Sequence, residues 1–460
     1  LPLAHALAQK EDLPIPEWLF AWAASLVLVA SFYALSVAWK TARFEDERWR
    51  PLGGGVLRAL LHPATQALYG LVGVFLLGLT IYSGLEGTVA PDRNFSLTFV
   101  FVTCWLGFPL LGVLFGDVFR VFNPWRAIGR AAGSAFRRLV GQGPVHAPYP
   151  ERLGRWPAAV GVVAFVWLEV IYGASGAVSV GLDPETTARA TIAYTAYTLA
   201  MMVVFGTERW CDRGETFSVY FGMFGRIGSF AAREGRLGVR RMLAGTTGWA
   251  AVPGSAAVVV ASIGSTAYDG AAEGPLRQPI ENVFEWLVDQ DVGLVASRRL
   301  AETLFLLVAI AAIAATYLAG VWGMRTVRGA PPFRDLIRAF APSLIPIAFA
   351  YLAAHYFSLF AFQEQAQFTY LLSDPLGEGS DLFGTASGGI DYGALGANAI
   401  WYFQVAALVV GHVAGLVLAH DRAVALWGDP KQAARSQYWM LAVMVGFTCL
   451  GLYLLSAANQ

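Results

Sequence analysis

Apolar residues in this chain gather into runs of about twenty, separated by polar stretches. Ten runs stand out, at about 18–39, 64–84, 96–116, 157–180, 189–206, 248–267, 301–324, 340–362, 398–419 and 438–456. A helix of about twenty apolar residues crosses a hydrocarbon core of roughly 30 Å. The pattern therefore predicts an all-α fold, a polytopic transmembrane bundle of about ten spans, with residues 1–460 forming one integral membrane domain. Two long arginine-rich connections interrupt it, at 117–156 and 209–241. Two acidic segments do the same, at 268–299 and 364–395, the second rich in glycine. Within the first acidic segment, ENVFEWLVDQ has the spacing of an amphipathic surface helix. Segments 209–241 and 268–299 each have room for a re-entrant or interfacial helix. The letters show no internal repeat.

Composition agrees with this pattern. The chain has 460 residues, is 56% hydrophobic and only 14% charged, where a soluble domain carries about a quarter charged residues. Mean hydropathy is +0.53. The formal net charge is zero, so no basic bias points to nucleic acid. The charge is nevertheless segregated along the chain. With ten spans and the amino terminus outside, 26 of the 32 Lys and Arg fall in inner loops. This is the positive-inside signal. It makes 117–156 and 209–241 cytoplasmic loops and 268–299 and 364–395 external ones, and it places the protein in a bacterial plasma membrane as a multi-pass protein. The acidic external segments are positioned to cap the outer side as a lid. Cys104, Cys211 and Cys449 are widely spaced and form no C-x-x-C pair, which argues against a disulfide framework or a zinc site. The opening LPLAHALA contains small-x-small spacings like the end of a signal segment, and a polar, proline-rich external lead-in follows.

Ionisable groups inside a span are costly and often mark function. Glu169 sits near the middle of the fourth run, with Tyr172 and Gly173 three and four positions on, sharing its helix face. It reads either as a proton or cation site or as a carboxyl bonded to a neighbouring helix. Tyr351, His355 and Ser358 are spaced i, i+4, i+7 in the eighth run and form one polar stripe, with Pro346 placed to kink the helix. Gln363, Glu364, Gln365 and Gln367 continue it outward. The stripe reads as a polar path, or as helix packing with satisfied hydrogen bonds. In the ninth run Gln404 lies roughly on the face of His412, and Gly411 and Gly415 form a small-x-x-x-small pair that favours close helix approach. His420 and Asp421 follow at the inner boundary and read as surface groups.

His355 and His412 on adjacent spans raise the idea of haem or metal ligation. Depth weighs against it. At about 1.5 Å per residue, His355 stands about 25 Å above Arg338, and His412 about 15 Å above Arg422. These two remain the only metal candidates within spans. His5 would join a copper site only if processing exposed it. There is no H-E-x-x-H, P-loop or Rossmann fingerprint, and the letters name no cofactor. The inner-face segments GDVFRVFNPWRAIGR and GTERWCDRGETFSVYFGMFGRIG mix Arg120, Trp125, Arg126, Arg209 and Trp210 with phenylalanines. They read as an interfacial belt meeting the lipid bilayer and its anionic headgroups, or as a gate or docking surface for protein subunits.

Four stretches carry a resemblance: DLPIPEWLFAW, GDVFRVFNPWRAIGR, SLIPIAFAYLAAHYFSLF and GHVAGLVLAHDRAV. Together they resemble a family of polytopic membrane proteins from high-GC actinobacteria, whose members often carry the label "fenitrothion hydrolase". The resemblance spans most of the chain and implies organophosphate ester hydrolysis. It assigns no catalytic residue here. Such chemistry usually uses metal clustered by histidines and carboxylates, and this chain has only six histidines, spread thinly. Three readings stay open. The first is transport or sensing of a small solute or ion along an interior polar path of Glu169, Tyr172, Tyr351, His355, Ser358, Gln404 and His412. The second is a membrane-embedded hydrolase or a metal or haem redox enzyme. The third is a structural subunit of a membrane complex.

Overall fold

The structure is a computed structural model and describes residues 17–173, 182–249 and 252–457. The LPLAHALA segment with His5, the rest of the lead-in before Glu17, and the end of the fourth apolar run at 174–180 lie outside the described residues. Helices α1 (Glu17–Ala38), α2 (Pro63–Glu86) and α3 (Phe95–Phe115) follow the first three runs. The first arginine-rich connection contains α4 (Pro124–Val140), and α5 (Trp156–Tyr172) and α6 (Pro184–Phe205) come next. The second arginine-rich segment folds into α7 (Thr207–Arg213), α8 (Thr216–Gly225) and a hairpin of β2 (Phe230–Arg233) and β3 (Arg236–Val239). Strand β1 (Arg50–Pro51) adds to that hairpin, in the antiparallel order β1-β3-β2. The remainder is α9 (Ser255–Ala272), α10 (Arg277–Asp289), α11 (Leu294–Met324), α12 (Phe333–His355), α13 (Phe357–Ala366), α14 (Ala397–Trp427) and α15 (Tyr438–Ala457).

Local chemistry sets where the helices begin. Asp183 accepts from Thr186 N at 2.6 Å and Pro184 opens α6, so the acidic turn GLDPETT is a helix cap. Asn123 accepts from Arg126 N at 2.8 Å ahead of Pro124. Arg155 joins the starts of α5 and α9, donating to Trp249 O at 2.6 Å and Ser255 Oγ at 2.8 Å.

Among the described residues, seven helices are long and apolar enough to cross a membrane. An eighth qualifies if Pro430–Ser436 and the helix after it, bent by 43°, count as one span. The runs at 157–180 and 248–267 fall short of the ten expected. Helix α5 ends at Tyr172 as a shorter apolar helix. Helix α9 carries Ser262, Ser265, Thr266 and Asp269, and nearly all of it is buried. A helix that packs against protein over most of its surface has no need of a uniformly apolar face.

The segments read as loops are also built into the fold. Helix α8 is ten residues long and buries Tyr220, Phe221, Met223 and Phe224; at about 15 Å it is too short to cross a bilayer. Helix α10 is amphipathic as expected. Ile280 is buried with Val283, Phe284 and Leu287 packed around it, and Glu281 pairs with Arg298 through two bonds of 2.8 and 2.9 Å. The acidic residues after α13 act as turn-makers: Asp374 accepts from Gly379 N and Ser380 Oγ, both at 2.7 Å. His420 and Asp421, expected at the surface, are buried. Asp421 accepts from Trp39 Nε1, Arg43 N and Phe44 N at 2.8, 2.6 and 3.0 Å, and so holds the chain leaving α1 against α14.

The expected glycine pair sets the closest helix contact around the site. A Cβ on Gly411 would lie 2.1 Å from Ala350 Cβ and 2.9 Å from Pro346 O, and one on Gly415 would lie 2.7 Å from Ser343 O. The glycines thus bring α14 against residues 343–350 of α12, running antiparallel.

Candidate functional site

The polar centre of the bundle is built where α9 meets α12. Helix α9 runs apolar from Val258 to Val260 and then turns one polar face inward with Ser262, Ser265 and Asp269, spaced i, i+3, i+7. Asp269 Oδ2 lies 2.9 Å from His355 Nε2 and accepts the Tyr356 hydroxyl at 2.6 Å. His355 is 8% exposed and Tyr356 5%, so both are packed inside the protein, while Asp269 is half-buried. Tyr351 adds a ring above, nearly parallel to His355 at 6.5 Å between centroids. The absence of a side chain at Gly270 makes room for the imidazole, since a Cβ there would sit 3.2 Å from His355 Cε1.

Chain geometry explains why histidine and tyrosine reach one carboxylate. Helix α12 ends at His355, Tyr356 leaves the helical path at φ −98, ψ 12, and α13 restarts at Phe357. Two consecutive residues on a regular helix point about 100° apart; the break lets both side chains converge. The same break undoes the expected Tyr351–His355–Ser358 stripe. Ser358 lies past the discontinuity and is half-buried on α13, and Tyr356 takes its place on the polar side.

Glu169 approaches from α5. Residues Trp167–Tyr172 are wound as a π-helix, a distortion frequent at functional sites. Glu169 lies within electrostatic reach of Asp269, and Tyr356 and Tyr220 are within reach of Glu169. Its Oε2 is shielded from solvent and has no hydrogen-bond partner, and the same is true of Ser262 Oγ and Ser265 Oγ. The Tyr220 hydroxyl from α8 lies beside Ser262. A stripe about 10 Å long therefore runs along α9 from Tyr220 and Ser262 to Asp269, with Glu169 alongside.

The π winding also separates Tyr172 from its expected face. Its ring lies under the Arg299 guanidinium at 4.1 Å and beside Trp167, so it belongs to a cation–π contact and does not line the stripe. His412 is buried, its Nδ1 2.8 Å from Leu408 O in its own helix and its Nε2 without a partner. Gln404 is buried with Oε1 unpartnered. Because Gly411 meets Pro346 and Ala350, His412 sits about 8–10 Å short of His355 along the pair. The two histidines do not converge on one site. Among the described residues no group of three or more His, Cys, Asp or Glu side chains is placed to hold a metal ion.

The expected interfacial belt divides. Arg209 is exposed. Trp125, Arg126 and Trp210 are buried inside the protein, which corrects the reading that puts them on a lipid-facing surface. Trp125 Nε1 donates to Thr195 and Trp210 Nε1 to Thr198, at 2.9 and 2.8 Å. Arg120, half-exposed, pairs with Glu208 at 3.4 Å, and Arg126 lies 3.8 Å from Glu208 and Asp212. The acidic partners of these two arginines come from α7, in the other arginine-rich segment.

Asp269 and Tyr356 are the members that sequence reasoning missed. Asp269 falls two residues beyond the expected end of its run and was read into the external acidic segment. The three-and-four spacing from Ser262 and Ser265 is the signal that would have kept it in the helix. Tyr356 had no such signal, because only the break after His355 turns it inward. No family model, no curated protein and no solved structure matches this chain.

Proposed function

We propose that this chain is a ten-span bacterial plasma-membrane protein, amino terminus outside, that moves protons along an interior polar path built on Glu169, Asp269, His355 and Tyr356. The observation that carries this reading is the shared carboxylate: Asp269 Oδ2 holds both His355 Nε2 and the Tyr356 hydroxyl, while the half-buried Glu169 nearby keeps one shielded oxygen without a partner. A hydrogen-bonded acid–histidine–tyrosine group inside a membrane domain is a means of passing a proton, since imidazole takes a proton on one nitrogen and releases it from the other. Tyr220, Ser262 and Ser265 extend the hydroxyls toward the arginine-rich side. In this topology α5 and α9 complete the ten crossings, and the charge segregation sets the orientation. Exposed arginines such as Arg209 then face anionic headgroups at the inner side.

Reconstitution tests the reading. Vesicles containing the purified protein and a trapped pH dye are given a potassium diffusion potential. Wild type is expected to acidify them well above the protein-free leak. Glu169→Gln and Asp269→Asn are expected to return the rate to that leak with unchanged reconstitution. A wild-type rate equal to the leak sinks the proposal.

A further inference from the structure

The structure contains an internal space that none of Glu169, Asp269, His355 and Tyr356 lines. It is a cavity of about 530 Å³ between α2, α3, α5 and α6, closed toward one end by Phe122, Trp125 and Phe217. This is within the range of cavities that hold a small ligand. Its wall carries no charged side chain. Its hydroxyls are mostly committed elsewhere: Thr80 donates to Leu76 O, Thr187 to Asp183 O, Thr191 to Thr187 O and Tyr194 to Glu215. Nothing in the wall offers a charge or an array of free donors for a polar ligand, so an occupant must be hydrocarbon where it lies inside.

The wall also shows how an occupant enters. Val160 and Ala164 on α5 and Ala193 and Tyr197 on α6 both line the cavity and are exposed on the outer surface. The mouth therefore opens sideways between these two helices. Helix α6 is long and apolar enough to span a membrane and is mostly unburied, and Ile192, Val203 and Val204 lie exposed on it. A lateral opening in such a surface faces acyl chains. With no charged group inside, the polar end of the occupant stays at the mouth.

We infer that this cavity is a phospholipid site, in which one acyl chain enters between α5 and α6 and fills the aromatic-lined space while its headgroup remains outside. The bilayer supplies this ligand at the mouth itself, and the wall matches an alkyl chain in everything it lacks.

The test uses the full-length protein in nanodiscs made with a phosphatidylglycerol bearing a diazirine near the end of one acyl chain. Light-induced labels are expected on cavity residues such as Phe165 and Phe217, and native mass spectrometry of detergent-purified protein is expected to show one retained phospholipid. Ala164→Trp and Ala193→Trp place a ring at the mouth; both positions are exposed, so the core need not move. Each is expected to reduce cavity labelling and retention at least about tenfold, a change of roughly 1.4 kcal/mol, with an unaltered melting temperature. Equal labelling of wild type and variants, or labels confined to outward residues such as Leu71 and Phe75, would identify ordinary annular lipid and overturn the inference. Retention of a prenyl lipid in place of a phospholipid would overturn it too.

Discussion

Two glutamates, the half-buried Glu169 and the fully buried Glu215, stand in opposite conditions. Glu215 has no exposed surface and receives four donors: the Tyr194 hydroxyl at 2.5 Å, Phe217 N at 2.9 Å, Ser218 N at 2.8 Å and Asn123 Nδ2 at 3.0 Å. Glu169 keeps an oxygen that no donor reaches. A carboxylate held by four donors is fixed in place, which suits the cap of α8 and the joint between α4, α6 and α8. An incompletely satisfied carboxyl is expensive to keep buried, and its freedom to gain or lose a partner is what a relay requires.

The contrast can be broken most directly at Glu215. Replacing it with alanine strands four donors, and the expected loss is about 3–5 kcal/mol, seen as a large fall in the detergent melting temperature or as failure to accumulate. A Glu215→Ala variant as stable as wild type would remove the structural half of the contrast. Next in size is Gly411→Ala. Its Cβ would meet Ala350 Cβ at 2.1 Å, and forcing α14 from α12 is expected to cost about 1–3 kcal/mol. Because α12 carries His355, proton flux should fall with stability in this variant. Glu169→Gln is expected to shift stability by less than about 1 kcal/mol, in the stabilising direction, while abolishing flux. A destabilisation as large as that of Glu215→Ala would make Glu169 structural.

The smallest expected effect is acid sensitivity at the arginine-rich face. Burial pushes Glu208 upward, but its 2.7 Å bond to Arg130 and the charges of Arg126, Arg130 and Arg120 outweigh this and hold it below the usual carboxylate value of 4.5. A depressed folded value means that the stabilisation is complete above the unfolded carboxylate range and is lost as pH falls through the folded value. Melting temperature should therefore drop below about pH 4.5 more steeply in wild type than in Glu208→Gln. Identical acid limbs would show that the pairs to Glu208 contribute nothing to folding; half-exposed pairs are weak enough that this sets the lower limit of the comparison.

The helical character of the chain, most of its membrane-crossing runs, the amphipathic α10 and the close approach at Gly411 and Gly415 were legible from spacing alone, because periodicity and small residues act within a few turns of one helix. So were two members of the candidate site, Glu169 and His355, since an ionisable residue in an apolar run is conspicuous. The limits of that reading lie in contacts between segments distant in the chain. The run at 248–267 reads as a full span followed by an acidic segment, because spacing cannot register that α9 extends to Ala272 and lies mostly buried against protein. Tyr220 looked like part of a cytoplasmic loop until α8 was seen folded into the core.

Composition and periodicity by themselves determined that this chain is an α-helical membrane protein, and which of its charges are anomalous for that setting. Only the tertiary structure decided what each anomaly faces. The break after His355 turns two adjacent side chains onto Asp269, the packing of α4 buries Arg126 beside the acids of α7, and four donors from three segments hold Glu215 while Glu169 is left incomplete. A hydrogen bond depends on distances of a few ångströms between groups that can lie hundreds of residues apart, as Trp39 and Asp421 do, and that distance is a property of packing, not of sequence spacing.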